Sequence, residues 1–445
     1  DFLQSLNLFL AHFASVEDVR FKVKKTSVSA TEIKGRVFFF LVGRDGSGQR
    51  EWVRGWLDAV SAATAEEDDV RLSTFALTEL NSNVASEDIF TEVASAAGID
   101  TRFPSFGTQG NEDSFWHGAA AGDLNNDGLI DVYATGLEGN YLWLNQGNGQ
   151  FVDVADKAWC KVVPATTGAL ILDVDNDGDM DLFLSSTVTQ VLLQNRLVED
   201  GVLEFRDISL PAGVAGARAL GFSAVAADID GNSFPDIYVT SYNRYGVVMP
   251  NSWHAATNGT PNLLFLNDGK GGFSEVAESY GVADPRWSYA AAFADLDADG
   301  DQDLYVANDY GENGFYVNDG GHFTDEASAR GVVDPGNGMG VSFGDYDNDG
   351  DLDLHVTNMS STAGNRILSR LFSEVPDKDV LVKLAAGNSL YRNDGNGGFS
   401  PDPDNTSHFS AGWAWGGGFL DFDNNGWEDL YTPNGFISGK SMKDT

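Results

Sequence analysis

The sequence predicts a mainly β fold, a β-propeller of four-stranded antiparallel blades preceded by a small α+β domain. Three observations carry this. An acidic nonapeptide recurs six times, its flanks repeat as short strands, and no helix-length periodicity separates the copies.

The first 85 residues contain no acidic loop. "FLQSLNLFLAHF" has helical spacing, and strand patterns follow near 19–29, 34–43, 50–58 and 70–80. They are read as a small α+β domain (1–85), with a motif-free blade as the alternative. Residues 86–445 are read as the propeller. "IFTEVASAAGI" at 89–99 matches the closing strand of a repeat and is expected to complete the last blade, whose own sequence stops after two strands.

The acidic copies are "DLNNDGLID" (123–131), "DVDNDGDMD" (173–181), "DIDGNSFPD" (228–236), "DLDADGDQD" (295–303), "DYDNDGDLD" (345–353) and "DFDNNGWED" (421–429). A run of small residues precedes each, such as "GAAAG" or "AAAFA". An alternating strand follows, such as "DLYVAN" or "DLHVTN". Then come a third strand ending in Asn, a glycine-rich hairpin turn and a short "FSEVA"-like strand. Four strands per unit with no intervening helix read as blades, and Ala and Gly suit first strands crowded around an axis.

Composition sharpens the picture. The chain carries 27 Lys+Arg against 67 Asp+Glu, a net charge of −40. Such a surface repels nucleic acid and anionic membrane, and no Lys/Arg-rich run is read as a local exception. Aspartate dominates, 49 to 18 glutamates, and 24 of the 49 lie in the six loops. Cys160 is the single cysteine and reads as a buried apolar residue. No apolar run approaches the ~18 residues of a membrane span. The start at Asp1 suggests a processed or partial chain.

A hard divalent cation takes six to eight oxygens, and calcium tolerates irregular geometry. Carboxylates or amides at loop positions 1, 3, 5 and 9, with the carbonyl of position 7, form such a set. Loop 1 offers Asp123, Asn125, Asp127 and Asp131 with Leu129. Loop 2 offers Asp173, Asp175, Asp177 and Asp181 with Asp179. Loop 3 offers Asp228, Asp230, Asn232 and Asp236 with Phe234. Loop 4 offers Asp295, Asp297, Asp299 and Asp303 with Asp301. Loop 5 offers Asp345, Asp347, Asp349 and Asp353 with Asp351. Loop 6 offers Asp421, Asp423, Asn425 and Asp429 with Trp427. Glycine at position 6 permits a positive φ. Loop 3 departs, with Gly231 at position 4 and Ser233 at position 6, and is expected to be the weakest of about six Ca²⁺ sites. No EF-hand Glu follows at position 12, and zinc would want His or Cys.

The unit "GDYDNDGDLDLHVTN…LYRNDGNGGF" resembles the FG-GAP/VCBS repeat of integrin α-subunit propellers and of bacterial secreted proteins related to cartilage acidic protein. The resemblance covers roughly 89–434. It implies a calcium-binding propeller, seven blades rather than the six countable, and a secreted, periplasmic or cell-surface setting.

In an up-and-down blade, the first-to-second connections share one face, so all acidic loops fall there. The other face receives the insertions at 242–262 and 356–387 and the segments before each first strand. Trp116, His117, Trp253, His254, Trp287, Tyr289, Trp413 and Trp415 fall on it, a candidate ligand surface for a protein or glycan partner. No GxSxG, HExxH, Cys–His pair or phosphate-binding glycine loop is present. The leading expectation is a non-enzymatic adhesion or assembly module; the alternatives are a polysaccharide lyase or hydrolase, or a lectin.

Overall fold

The computed structural model describes residues 2–62, 72–85, 90–101, 117–136, 138–162, 166–216, 219–243, 247–360, 378–402 and 412–435. The chain divides into two units, Asp1–Val93 and Ala94–Thr445.

The first unit is a helix, α1 (Phe2–Leu10), and an antiparallel meander of β1 (Phe13–Val28), β2 (Glu32–Asp45), β3 (Arg50–Ala62) and β4 (Leu72–Ala85), paired in that order. Buried Val53 and Leu57 alternate along β3 with partly or fully exposed residues, the period-2 signature of a sheet with one packed face. That face joins Phe13, Phe39, Leu41, Val53 and Leu57, with Phe9 of α1 against them. The strands outrun their apolar patterns because the backbone ladder extends into polar ends. Between β2 and β3, Asp45 Oδ1 accepts from the Ser47 and Gln49 amides at 2.8 and 2.9 Å.

In the second unit each repeat is a separate meander. Blade 1 comprises Ala119–Gly122, Asp131–Ala134, Tyr141–Asn145 and Phe151–Asp153. Blades 2 to 5 occupy 166–207, 221–275, 287–325 and 338–401, each with four strands. Blade 6 shows two, Gly418–Leu420 and Asp429–Tyr431. Six sheets are therefore present in this unit among the described residues, one for each acidic loop.

First strands of successive blades lie side by side, and their small residues are the reason. A Cβ on Gly118 would fall 2.7 Å from the Gly168 Cα, one on Gly168 would fall 2.7 Å from the Phe222 carbonyl, and one on Gly340 would meet the Gly416 Cα at 3.0 Å. Apolar side chains fill the gaps between consecutive sheets. Leu172, Phe183, Ile237 and Phe265 pack between blades 2 and 3, and Tyr305, Phe315, Leu354 and Phe399 between blades 4 and 5. Each such fully buried side chain contributes about 1.5–3 kcal/mol. Buried tyrosines of the second strands reach beyond their own sheet. Tyr133, Tyr238 and Tyr305 donate to the carbonyls of Cys160, Val282 and Val332 at 2.7, 3.0 and 3.0 Å.

The segment at 89–99 differs from the expected closing strand. Residues 90–93 form no strand, and Ala94–Ala97 is a helical turn. The alanine-rich sequence matches the turns that follow fourth strands in other blades, Ala277–Tyr280 and Ala327–Arg330. Gly98 ends it at φ +83°, as Gly281 and Gly331 end theirs. A Cβ on Gly98 would sit 3.0 Å from the Phe151 carbonyl, and one on Gly281 would sit 2.7 Å from that of Phe323. The turn therefore packs on blade 1 as a preceding blade's connector would.

Candidate metal centres and the face opposite them

All six acidic loops share one backbone design. The position-1 carboxylate receives two amides of its own loop. Asp345 Oδ1 accepts from Asp349 and Oδ2 from Gly350, both at 3.0 Å. The position-5 side chain then accepts from the amide of position 7, as Asp349 Oδ1 does from Asp351 at 3.1 Å. The same bonds recur at Asp123, Asp173, Asp228, Asp295 and Asp421.

Position 9 ties loop to blade. Asp181 Oδ2 accepts from the Val174 amide at 2.9 Å, while Oδ1 accepts from Asn195 of the third strand at 2.7 Å. Asp131, Asp236, Asp303 and Asp353 receive the equivalent third-strand amides, from Asn145, Asn267, Asn318 and Asn393. The third strand is thus part of the site through the backbone amide of its last residue, a role the sequence reading did not give it.

Two positions per loop are left-handed, not one. Position 6 is Gly128, Gly178, Gly300, Gly350 or Gly426, and position 4 is Asn126, Asn176, Ala298, Asn348 or Asn424 at φ +56° to +61°. Loop 3 keeps this backbone with the residues exchanged: Gly231 and Ser233 both stand at φ +72°. Its displaced glycine is a substitution within a fixed scaffold, and the backbone cost falls on Ser233.

The position-4 asparagines also reach the next blade. Asn126 Nδ2 donates to the Gly178 carbonyl at 3.0 Å, Asn176 to Ser233 at 2.8 Å and Asn348 to Gly426 at 3.1 Å. Third-strand asparagines reach backwards, Asn195 to the Leu124 carbonyl, Asn267 to Val174 and Asn393 to Leu296.

The carboxylates converge. Oxygens of Asp173, Asp175 and Asp181 lie within 4.8 Å of one another, as do those of Asp228, Asp230 and Asp236, of Asp295, Asp297 and Asp299, and of Asp345, Asp347 and Asp353. Burial, added to by neighbouring loop carboxylates, pushes Asp181 up to about 8, Asp303 to about 7, and Asp236 and Asp353 to about 6. Position-3 oxygens Asp175 Oδ1, Asp297 Oδ1 and Asp347 Oδ1 are buried without a hydrogen-bond donor. Unpaired buried carboxylate oxygens aimed at one another fit a hard cation, and the all-oxygen donor set fits calcium better than zinc. Position-7 side chains are not uniform. Asp179 Oδ2 accepts from the Val198 amide at 2.8 Å, whereas Trp427 is 55% exposed, so the backbone alone is common to them.

On the opposite ends of the strands the aromatics form one cluster. Trp287 meets Tyr242 and Tyr310 at centroid distances of 4.7 and 5.7 Å, Trp253 meets Tyr310 at 5.5 Å, and Trp415 meets Tyr289 at 5.7 Å. Exposure separates them. Trp287 is fully buried and donates to Asn258 Oδ1 at 3.0 Å, so it forms the cluster's base rather than an outward ring. Trp253 is 59% and Trp413 40% exposed. His254 is partly buried beside Trp253, and His117 is lowered by burial. Trp116 lies outside the described residues, as do 244–246 and 361–377 of the two insertions.

Sequence reasoning missed Asp309 beneath this cluster. Its carboxylate accepts from Tyr242 Oη and Asn337 Nδ2, both at 2.6 Å, and burial pushes it up to about 6. No motif marks it: the other repeats carry Leu137, Thr187, Tyr242, Met359 and Gly435 at the matching position. Beside the cluster a cleft of about 480 Å³ is lined by Thr257, Arg286, Glu312 and Asp325. Arg286 is held there by Asp284 at 2.8 Å and Asp325 at 2.9 Å. No helix among the described residues is long and apolar enough to cross a membrane.

Comparison with known proteins agrees with the repeat geometry. The FG-GAP-like repeat matches at residues 123–184, 253–306 and 295–356. Cartilage acidic protein 1 of Mus musculus is 24% identical over 305 positions, covering 53% of this chain. The match covers 46% of that relative, so the chain spans less than half its length. Among solved structures, a lectin of Agrocybe aegerita, described as recognising non-reducing terminal N-acetylglucosamine, aligns with TM-score 0.39 and 16% identity, over 86% of this chain and 82% of that one. The acidic loops, the four-stranded sheets and the matched segments coincide: this chain carries FG-GAP-like repeats.

Proposed function

We propose that the chain is a calcium-stabilised binding module acting outside the cytoplasm, in a secreted, periplasmic or cell-surface setting, and that it engages a glycan or protein partner. The repeat unit supplies a frame whose acidic loops lie at one end of the blades. The observation that carries the recognition role is the aromatic cluster at the other end, with Trp253 exposed beside Tyr310 over a buried Trp287–Tyr242 base. Exposed aromatics on a packed base offer flat, apolar contact at low entropic cost. Calcium would be held by the position-1, -3, -5 and -9 side chains; when bound it would supply charge neutralisation and cross-linking of each loop. Calcium sites of this open kind fill at extracellular concentrations.

A glycan array and a pull-down probed with wild-type and Trp253→Ala protein test this. Saturable binding that the variant loses supports it. Depolymerisation of a polysaccharide by the wild type would replace recognition with catalysis, and full binding by Trp253→Ala would move the site elsewhere.

A further inference from the structure

The first unit departs from the acidity of the rest. Residues 1–93 carry ten Lys/Arg and fifteen Asp/Glu, whereas the remaining residues carry 17 and 52. From Phe13 to Ala62, the three strands β1–β3, the balance reverses, nine Lys/Arg against six Asp/Glu. The sequence reading found no basic exception because the cations are interleaved with apolar residues. The register gathers them.

Residues paired across an antiparallel ladder share a face. Lys22, Phe38, Trp56 and Glu79 form one row across the sheet, and Arg20, Phe40, Arg54 and Asn81 the next. The row beyond holds Val42 and Trp52, and on the other side Arg36 opposes Asp58. This is the face opposite Phe39, Leu41, Val53 and Leu57, which α1 packs against. Phe38, Phe40, Trp52 and Trp56 are half-buried on it, and Arg20, Arg36 and Arg54 are exposed. Arg36 lies over Trp56 with its Cζ 4.9 Å from the ring centroid, and Arg50 over Trp52 at 5.0 Å. Along β3 the order is ring, cation, ring: Trp52, Arg54, Trp56, with the two rings about 13 Å apart. Arg54 has no ion-pair partner among the described residues.

We propose that this outward face of the β1–β4 sheet binds an acidic polysaccharide. Sugar rings present apolar C–H faces to Trp52 and Trp56, and guanidinium forks at Arg54 and Arg36 pair with carboxylate or sulfate groups. Asp58 and Glu79 on the same face accept from sugar hydroxyls. A deoxyribose phosphodiester backbone offers these carboxylates no hydroxyl donors, which favours a glycan over single-stranded DNA. The site belongs to the first unit and the aromatic cluster to the second, so different variants test the two readings.

The test is affinity electrophoresis and calorimetry of the full chain with polygalacturonate and heparin, the carboxylate and sulfate probes, with an oligothymidylate as the competing class. The expected result is saturable binding to at least one polysaccharide that weakens as salt rises. Arg54→Gln and Trp56→Ala should each weaken it by about tenfold. Arg54 is exposed, so its variant should keep the wild-type melting temperature; Arg54→Glu provides a second, stronger loss. Absence of binding to both polysaccharides at low salt, tighter binding to the oligothymidylate, or wild-type affinity in Arg54→Gln and Arg54→Glu would each overturn the proposal.

Discussion

The Arg392 guanidinium lies 2.6 Å from Asp347 Oδ2 and 2.9 Å from Asp349 Oδ2, so the fifth acidic loop has a cation of its own. The matching third-strand position is Gln194 in blade 2, whose Nε2 donates to Asp175 Oδ2 at 2.7 Å, and Leu144, Leu266 and Val317 in blades 1, 3 and 4. Loop 4 meets one as well, Arg330 at 3.0 Å from Asp297 Oδ2, reaching it from the turn after the fourth strand. At both loops a divalent ion must share its carboxylates with a positive charge. Arg392→Gln is expected to tighten calcium binding at the fifth loop by about tenfold, the scale of one unit charge about 4 Å away in a partly solvated site. Calcium titration of the two proteins by calorimetry decides it; equal or weaker affinity in the variant would contradict it.

Removal of calcium should lower thermal stability. Each site held at a hundredfold excess over its Kd contributes about 2.7 kcal/mol. Scanning calorimetry with chelator, then with excess calcium, is expected to show a transition lower by at least about 5 °C that calcium restores. Magnesium, which demands octahedral geometry and keeps its water, should restore less. A transition indifferent to chelator would remove the metal from the account.

The left-handed positions predict two stabilising substitutions. Ser233 at φ +72° and Ala298 at φ +61° hold conformations that cost an ordinary residue about 1–2 kcal/mol. Ser233→Gly relieves one. Ala298→Asn relieves the other and places an amide where Asn126, Asn176 and Asn348 reach their neighbouring loops. Denaturant unfolding should show each variant more stable by about 1 kcal/mol.

Asp309 predicts a pH dependence. Burial raises its folded-state value to about 6, above the ordinary carboxylate value of 3.8, so folding favours the protonated form. Its contribution is full below pH 3.8 and is lost as pH rises through about 6. Asp309→Asn stays neutral and can still pair with Tyr242 and Asn337. The variant's melting temperature should match the wild type near pH 4 and exceed it at pH 7.5. A gap constant with pH would show that burial of the charge is not what matters there.

The repeats were legible because six copies share one spacing, and each copy carries its own turn chemistry. Loop ligands at positions 1, 3, 5 and 9 follow from that periodicity alone. Less legible was whatever depended on neighbours. Trp287 reads as one more aromatic before a first strand, but the insertion at Asn258 folds over it. Asp309 has no motif because its burial is set by Tyr242 and Asn337 from adjoining blades. The helical turn Ala94–Ala97 hides behind "FTEVA", which imitates a closing strand; its true counterparts are the turns Ala277–Tyr280 and Ala327–Arg330 that follow such strands.

The asparagine contacts between loops divide the blades unevenly. Forward contacts run from blade 1 to 2, 2 to 3 and 5 to 6, and backward ones from 2 to 1, 3 to 2 and 5 to 4. Neither kind joins blades 3 and 4: Gly231 has no amide to offer, and Asn318 Nδ2 turns to the Gln302 carbonyl of its own blade. Those two blades are clamped from the other end, where Phe222 and Tyr242 of one interlock with Tyr289 and Trp287 of the other. The loops therefore offer no amide link at that seam, which rests on its apolar core of Tyr238, Leu264, Leu304 and Val306 and on the aromatic end that a partner would load.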